Sequence, residues 1–189
     1  MRPFLILFAG KAGTGKSTLA SAVSEELSLP YVDYDTACQP FLSAIEKRAG
    51  LGDGDRYAFY RTWRKASYDT VLDIISENIR LGVSIVASAP FSEEIRDPAF
   101  PDKLRQSSGR DFRILLCYMA PDEETHLRMV RDRGSFRDED FISDRKRFSE
   151  TLKAEMPAWD PSSVMYLDSG VYEINKNLVI TRVKALMEE

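Results

Sequence analysis

The sequence predicts an α/β fold, in which helices cover both faces of a parallel sheet. Short apolar runs alternate along the chain with longer stretches of helical spacing, and this alternation is typical of a parallel sheet. The 189 residues suit one domain spanning 1–189. The chain contains no internal repeat, low-complexity tract or linker that would divide it.

Five apolar runs are predicted to be strands, and the first is the clearest. Residues 4–9 are continuously apolar and end at a turn signal, as expected for a central parallel strand buried on both faces. The other strands are predicted at residues 31–35, 83–88, 112–119 and 164–167. Ligands are expected at the edge of the sheet where the parallel strands have their carboxyl ends.

Helical spacing predicts the elements between the strands. Helices are predicted at residues 18–27, 36–50, 56–81, 121–133 and 171–189, with a further one ending near Met156. Residues 92–109 are predicted to be loop and helix, because prolines interrupt them.

Composition excludes several classes of protein. Hydrophobic residues make up 43% and charged residues 30%, as in ordinary globular proteins. The net charge of −4 and pI near 5.2 argue against broad electrostatic binding to duplex nucleic acid, although a local basic groove remains open. Residues 3–9 are too few to span a bilayer, and no cleavage site follows them.

The cysteines and the histidine also limit the possible chemistry. Cys38 and Cys117 have neither metal-ligand spacing nor the pattern of a disulfide framework, so a reducing, cytoplasmic location is expected. His126 is the only histidine, which excludes a site built from several histidines and leaves a histidine triad without support.

A phosphate-binding motif directly follows the first predicted strand. Residues 10–17 fit the pattern G-x-x-x-x-G-K-[ST] without a mismatch. Glycines let backbone N–H groups surround an anion, and the following helix adds the positive end of its dipole. Lys16 is expected to reach the β- and γ-phosphates, and Ser17 to bind Mg²⁺. The residues expected to bind the nucleotide are Gly10, Ala12, Gly13, Thr14, Gly15, Lys16, Ser17 and Thr18.

Two aspartates are predicted at the carboxyl end of the second strand. Asp33 and Asp35 are two positions apart, so on a strand their side chains share one face. Phosphoryl transfer to a hydroxyl needs a carboxylate that orients the acceptor and takes its proton, and Mg²⁺ needs oxygen ligands. Asp35, nearer the opening, is assigned the first role and Asp33 the metal role. Alternatively, the pair is solvated or caps the next helix through Asp35.

Arginines cluster around the end of the helix after the fourth strand. Residues 128–141 are interpreted as a short lid, in which Arg133 and Arg137 are the first candidates to stabilise charge on the transferred phosphoryl group and Arg128 follows them. Alternatively, these arginines only complement the negative end of the helix dipole.

Residues 36–81 are interpreted as an insertion that binds the phosphoryl acceptor. Arg61 and Arg64 lie among aromatic residues and are candidate anchors, although a solvated basic helix face is the slightly favoured alternative. Phe91 is a candidate wall of the acceptor site. Ser88 ends the third strand, where many nucleotide hydrolases carry a magnesium-binding aspartate.

These features together resemble the small P-loop kinases, within the AAA_33-like ATP-binding group related to polynucleotide kinase, gluconate and shikimate kinases, and chloramphenicol phosphotransferase. Residues 10–17, 33–36, 128–137 and 167–170 carry the resemblance. It implies a three-layer α/β/α sandwich of the P-loop NTPase type, with strand order 2-3-1-4-5. It also implies that Asp35 acts on the acceptor hydroxyl, that Ser169 and Gly170 border the adenine, and that ATP is the donor.

The sequence therefore predicts an ATP- and Mg²⁺-dependent kinase that transfers the γ-phosphoryl group to a hydroxyl of a small molecule. Two alternatives remain: a nucleic-acid or nucleotide end kinase, and a P-loop ATPase or switch without an acceptor. The aspartate pair and the absence of an acid after the third strand favour the kinase over the ATPase.

Overall fold

A parallel sheet forms the centre of the computed structural model, which describes residues 2–50, 56–134, 156–168 and 171–188. The strands are β1 (Phe4–Gly10), β2 (Tyr31–Asp33), β3 (Ile85–Ser88), β4 (Arg113–Met119) and β5 (Val164–Leu167). They pair in the order β2-β3-β1-β4-β5, and every pair is parallel. This order confirms the one that the resemblance to P-loop kinases implies.

Helices connect the strands, as the alternating pattern predicts. They are α1 (Lys16–Leu27), α2 (Tyr34–Ala49), α3 (Arg56–Arg80), α4 (Phe100–Ser108), α5 (Glu123–Arg133) and α6 (Tyr172–Glu188). Short 3-10 helices lie at Glu94–Arg96 and Pro161–Ser163. The helix predicted before Met156 falls outside the described residues. None of the helices described has the length and apolar character needed to cross a membrane.

Side chains of β1 alternate between two hydrophobic cores. Leu5 and Leu7 pack on one face of the sheet with residues of α3 and α4, whereas Ile6 and Phe8 pack on the other face with residues of α1 and α6. All four side chains are inaccessible to solvent. Because both faces of the strand are covered, it is apolar at successive positions instead of alternating with polar residues.

The second strand is shorter than predicted. It ends at Asp33, and α2 begins at Tyr34, so the expectation that Asp33 and Asp35 lie on one strand is wrong. Asp33 caps α2, because its Oδ1 accepts a hydrogen bond from the Thr36 N–H at 3.1 Å. Aspartate is a favoured N-cap residue, and this local preference ends the strand two residues early. Asp35 consequently lies in the first helical turn.

Candidate active site

A cavity of about 620 Å³ opens among the loop between β1 and α1, the start of α2, the segment after β3, and α5. This volume lies within the usual range of small-molecule sites. The lining residues are Ala12, Gly13, Gly15, Lys16, Ser17, Thr18, Asp33, Tyr34, Asp35, Ser88, Ala89, Pro90, Met129 and Asp132. The structure thus brings the phosphate-binding motif and both aspartates to one cavity.

Close packing explains two glycines of the motif. Gly13 has a φ of +77°, and a Cβ added there would lie 2.6 Å from Val130 Cγ2. Gly10 has a φ of +136°, and its added Cβ would lie 2.6 Å from the Met119 carbonyl oxygen. Both positions therefore need glycine for their backbone conformation and for the approach of neighbouring elements.

Two side chains of the motif converge on one carbonyl. Lys16 is only 8% exposed, and its Nζ donates to the Lys11 carbonyl oxygen at 2.6 Å. The Thr14 hydroxyl donates to the same oxygen at 2.9 Å. Lys16 also lines the cavity, where a phosphate would compensate its largely buried positive charge.

Oxygen-bearing side chains cluster where α1, β2 and β3 meet. The Ser17 hydroxyl donates to Asp33 Oδ2 at 2.8 Å and lies 3.2 Å from the Ser88 hydroxyl. The Tyr31 hydroxyl donates to the same Asp33 oxygen at 3.2 Å. Burial raises the pKa of Tyr31 to about 12, so this hydroxyl stays protonated at neutral pH.

This oxygen cluster fits a magnesium ion that is held partly by a bound nucleotide. Mg²⁺ prefers oxygen ligands and usually keeps several water or phosphate ligands. Within the part of the chain that the structure describes, no group of three or more His, Cys, Asp or Glu residues could hold a metal ion. Ser17 and Asp33 both line the cavity and bring oxygen atoms together there, which suits a cation that phosphates also bind.

Asp35 and Tyr34 line the cavity from the start of α2. Asp35 is exposed, so its carboxylate is accessible to a ligand. The Tyr34 ring lies 5.0 Å from the Tyr68 ring, between centroids, and burial raises the pKa of Tyr34. The aromatic contact fixes the helix turn that carries Asp35 against α3.

The structure does not bring the predicted acceptor anchors into the cavity. Arg64 forms ion pairs with Glu93 at 3.2 Å and Glu94 at 3.0 Å, and its guanidinium lies 4.0 Å from the centroid of the Tyr68 ring. Arg61 is exposed on α3 and is not among the lining residues. Arg64 thus has structural partners: Glu93 and Glu94 are distant in sequence and could not be assigned from the helical pattern, whereas Tyr68 lies four residues along the same helix.

Phe91 is likewise a core residue and does not form a wall of the cavity. Its side chain is fully buried, at 0% exposure, and its ring packs edge-on against Tyr68. Its backbone has an unusual φ of +48°, and its N–H donates to the Tyr68 hydroxyl at 3.2 Å. The neighbouring Ala89 and Pro90 line the cavity in its place.

Several predicted residues lie at or beyond the limits of the described chain. Arg137, Ser169 and Gly170 are outside the described residues, as is the predicted lid after Gly134. Arg133 is the last residue of α5. Arg128 is exposed on the same helix and does not line the cavity.

Sequence reasoning assigned arginines of α5 to the site but missed the other residues that this helix contributes. Met129 and Asp132 line the cavity, and Val130 packs against Gly13. His126 Nε2 lies 2.7 Å from the Ala12 carbonyl oxygen. A signal was present: β4 neighbours β1 in the implied sheet order, so the helix after β4 starts at the edge that holds the motif, and His126 and Val130 are four residues apart on one helix face.

Similarity to solved structures supports the same fold. A candidate kinase from Chloroflexus aurantiacus superposes with a TM-score of 0.72 at 17% identity, covering 100% of this chain and 98% of that one. A sugar kinase from Janibacter sp. gives 0.55 at 18% identity, with coverages of 97% and 95%. Shikimate kinase from Aquifex aeolicus gives 0.51 at 15% identity, with coverages of 97% and 98%.

Sequence comparison identifies the family. A search of curated proteins finds no significant match. The model of the AAA_33 family, described as an AAA domain, matches residues 5–154, which include the phosphate-binding motif, both aspartates and α5. The match extends over most of the chain and agrees with the P-loop fold and the cavity, and the chain therefore belongs to the AAA_33 family of P-loop proteins.

Proposed function

We propose that the protein is an ATP- and Mg²⁺-dependent kinase that phosphorylates a hydroxyl of a small molecule. The observation that carries this proposal is the shared cavity: Asp35 lines the same space as Lys16 and Ser17. Kinases of this type need a phosphate cradle and a carboxylate for the acceptor within one site. The solved kinases with this fold include proteins named for sugar and shikimate, which are hydroxyl-bearing compounds.

The motif residues are assigned to the donor. Residues 10–18 would bind the triphosphate, and the Lys16 ammonium would neutralise charge on the β- and γ-phosphates. Ser17 and Asp33 would hold the cation, which is favoured by their 2.8 Å hydrogen bond and by the Ser88 hydroxyl 3.2 Å from that of Ser17. Mg²⁺, when bound, supplies positive charge to the phosphoryl oxygens during transfer.

Asp35 is assigned to the acceptor. Its exposed carboxylate would accept a hydrogen bond from the acceptor hydroxyl, orient that oxygen toward the γ-phosphorus and take up its proton as ADP leaves. Tyr34 and the residues after β3 would shape the neighbouring wall. The acceptor-binding insertion of residues 36–81 remains part of the proposal, with Arg61 as an exposed candidate on α3.

The remaining assignments concern the lid arginines and the residues that would border the adenine of the nucleotide. Arg133 or Arg137 would contact the phosphates, and Ser169 and Gly170 would border the adenine. Arg133 directly follows Asp132, which lines the cavity, and this placement supports a role near the donor. A cytoplasmic location, expected from the two unpaired cysteines, belongs to the same proposal.

The charges of the cavity weigh against an enzyme that acts on nucleic-acid ends. Among the lining residues, Asp33, Asp35 and Asp132 are acidic and Lys16 is the basic one. A phosphate backbone would need a basic groove leading to Asp35. Ser88, in place of an acid at the end of β3, weighs against a P-loop ATPase or switch.

The substitution Asp35→Asn tests the role of Asp35. We expect kcat to fall by about 10²–10⁴-fold, because the acceptor proton loses its base. ATP affinity, measured by isothermal titration calorimetry, should change by less than about threefold, since the phosphate loop is intact. Asp73→Asn, at an exposed position on α3, is the matched control and should retain full activity.

The acceptor is identified by a screen for stimulated ADP release. The panel would contain sugars, sugar acids, nucleosides, aminoglycosides and chloramphenicol-like compounds. A compound that stimulates the wild-type protein but not Asp35→Asn supports the proposal. If no hydroxyl compound stimulates ADP release and Asp35→Asn leaves basal ATP turnover unchanged, the protein is not a kinase of this type.

A further inference from the structure

Helix α5 packs directly against the phosphate-binding loop. The added Cβ of Gly13 would meet Val130, and that of Gly15 would lie 3.4 Å from Met129 Cε. Between these contacts and the helix start, His126 Nε2 reaches the Ala12 carbonyl oxygen at 2.7 Å. His126 is only 1% exposed, so the contact is shielded from water.

His126 supplies a hydrogen-bond donor that the Ala12 carbonyl oxygen needs. A loop that directs its N–H groups toward an anion must turn carbonyl groups elsewhere, and a buried carbonyl without a donor costs free energy. A carbonyl oxygen can only accept, so His126 carries its proton on Nε2 and donates it. His126 lies in the capped first part of α5, where the Asp122 carboxylate accepts from the Thr125 N–H at 2.9 Å and the Asp122 carbonyl oxygen accepts from the His126 N–H at 2.9 Å.

We propose that His126 is a positioning residue for the nucleotide: its hydrogen bond to Ala12 holds the phosphate-binding loop in the conformation that receives ATP. The contact orders the loop before the ligand arrives, which reduces the entropy lost on binding. His126 is not among the residues that line the cavity. It therefore affects the donor through the loop and leaves Asp35 unchanged.

Hydrogen exchange of the protein without nucleotide tests the proposal independently of any activity. His126→Leu should accelerate exchange of the amides at the start of α1, where the Leu19 N–H donates to the Gly15 carbonyl oxygen of the loop at 3.0 Å, by about tenfold, the loss expected from one buried hydrogen bond. His126→Gln places an amide N–H at a similar distance from the backbone and should restore most of the protection. Val183→Ala, which opens a cavity at a buried position of α6, controls for general destabilisation and should leave these amides protected.

A second measurement rests on the proposed function, because it needs ATP to bind at the loop. The Kd for ATP should rise about tenfold in His126→Leu and return to within about threefold of the wild-type value in His126→Gln. Failure of the wild-type protein to bind ATP would refute the proposed function and leave the exchange result to decide the role of His126. Unchanged exchange in His126→Leu, or equal acceleration in Val183→Ala, would overturn the positioning role.

Discussion

Gly13 shows how a single position joins the phosphate-binding loop to its support. Its left-handed backbone is unfavourable for residues with a Cβ, and the space behind it is filled by Val130. The two constraints are separable, because the chain has other glycines with similar backbone angles and open surroundings. Gly109 has a φ of +62° and no atom within 4 Å of an added Cβ.

The matched pair Gly13→Ala and Gly109→Ala separates these constraints. Each should lose about 1–2 kcal/mol of stability from the strained backbone. Gly13→Ala should also weaken ATP binding at least tenfold, because the loop must move away from Val130, whereas Gly109→Ala should bind normally. Isothermal titration calorimetry provides the measurement. Adding Val130→Ala to Gly13→Ala should recover part of the affinity, and no recovery would contradict the steric explanation.

The Asp33 side chain caps helix α2 and also contacts Ser17 of helix α1 in the cavity. One carboxylate oxygen caps α2, and the other accepts from Ser17 and Tyr31. Asparagine is as good an N-cap as aspartate but carries no charge for a cation. Substitutions at this position therefore distinguish the structural role from the metal role.

For Asp33→Asn we expect stability within about 0.5 kcal/mol of wild type, whereas Asp33→Ala should lose about 1–2 kcal/mol with the cap. Both variants should need more Mg²⁺ for half-maximal activity. Urea unfolding and a Mg²⁺ titration provide the two measurements. An unchanged Mg²⁺ requirement in Asp33→Asn would show that the carboxylate does not support the cation.

Arg64 links α3 by an ion pair to the segment that follows β3. It makes two hydrogen bonds to Glu94, whose side chain is only 10% exposed, and that segment leads from the cavity-lining Pro90. Lys65 is the next residue on the helix, but it pairs with Asp69 in solvent, with 86% of its side chain exposed. The neighbouring cations thus differ in burial and in partner.

Unfolding by urea should separate these two cations clearly. Arg64→Ala should lose about 2–4 kcal/mol, because it leaves the Glu94 carboxylate largely buried without this partner. Lys65→Ala should lose less than about 0.5 kcal/mol, as exposed i,i+4 pairs do. Similar losses in the two variants would show that the Arg64–Glu94 ion pair contributes no more to the free energy of unfolding than the exposed Lys65–Asp69 pair does.

At the scale of the whole molecule, nucleotide binding should stabilise the fold. A ligand present at 100 times its Kd adds about 2.7 kcal/mol, which corresponds to a rise in Tm of about 5–10 °C for a protein of this size. Differential scanning fluorimetry with ATP and Mg²⁺ measures this rise. Lys16→Ala should reduce the shift strongly, and a wild-type protein whose Tm does not respond to millimolar ATP would contradict donor binding.

The strand pattern and the phosphate-binding motif were readable from the sequence because local signals determine them. Residues 10–17 carry both the turn and the chemistry, and the sheet order followed from the resemblance to P-loop kinases. The strand end at Asp33 was missed because helix capping competes with strand extension at that residue.

Other parts of the site depend on contacts between distant residues. His126 meets Ala12 across more than one hundred residues, and Arg64 meets Glu94 across the β3 crossover. The helical pattern identifies which residues share a face, but it does not identify the partner on another element. Burial of Phe91 similarly depends on its unusual backbone conformation, which no local motif indicated.

The central place of β1 has a consequence for synthesis on the ribosome. This apolar strand pairs with β3 and β4, whose paired residues (Leu5 with Ile85, Phe4 with Arg113) are translated 80 and 109 residues later. At bacterial or eukaryotic elongation rates of about 5–20 residues per second, the strand leaves the ribosome several seconds before its second neighbour exists. During that interval its backbone edges are unpaired, so the nascent chain passes through an aggregation-prone stage that the finished sheet conceals.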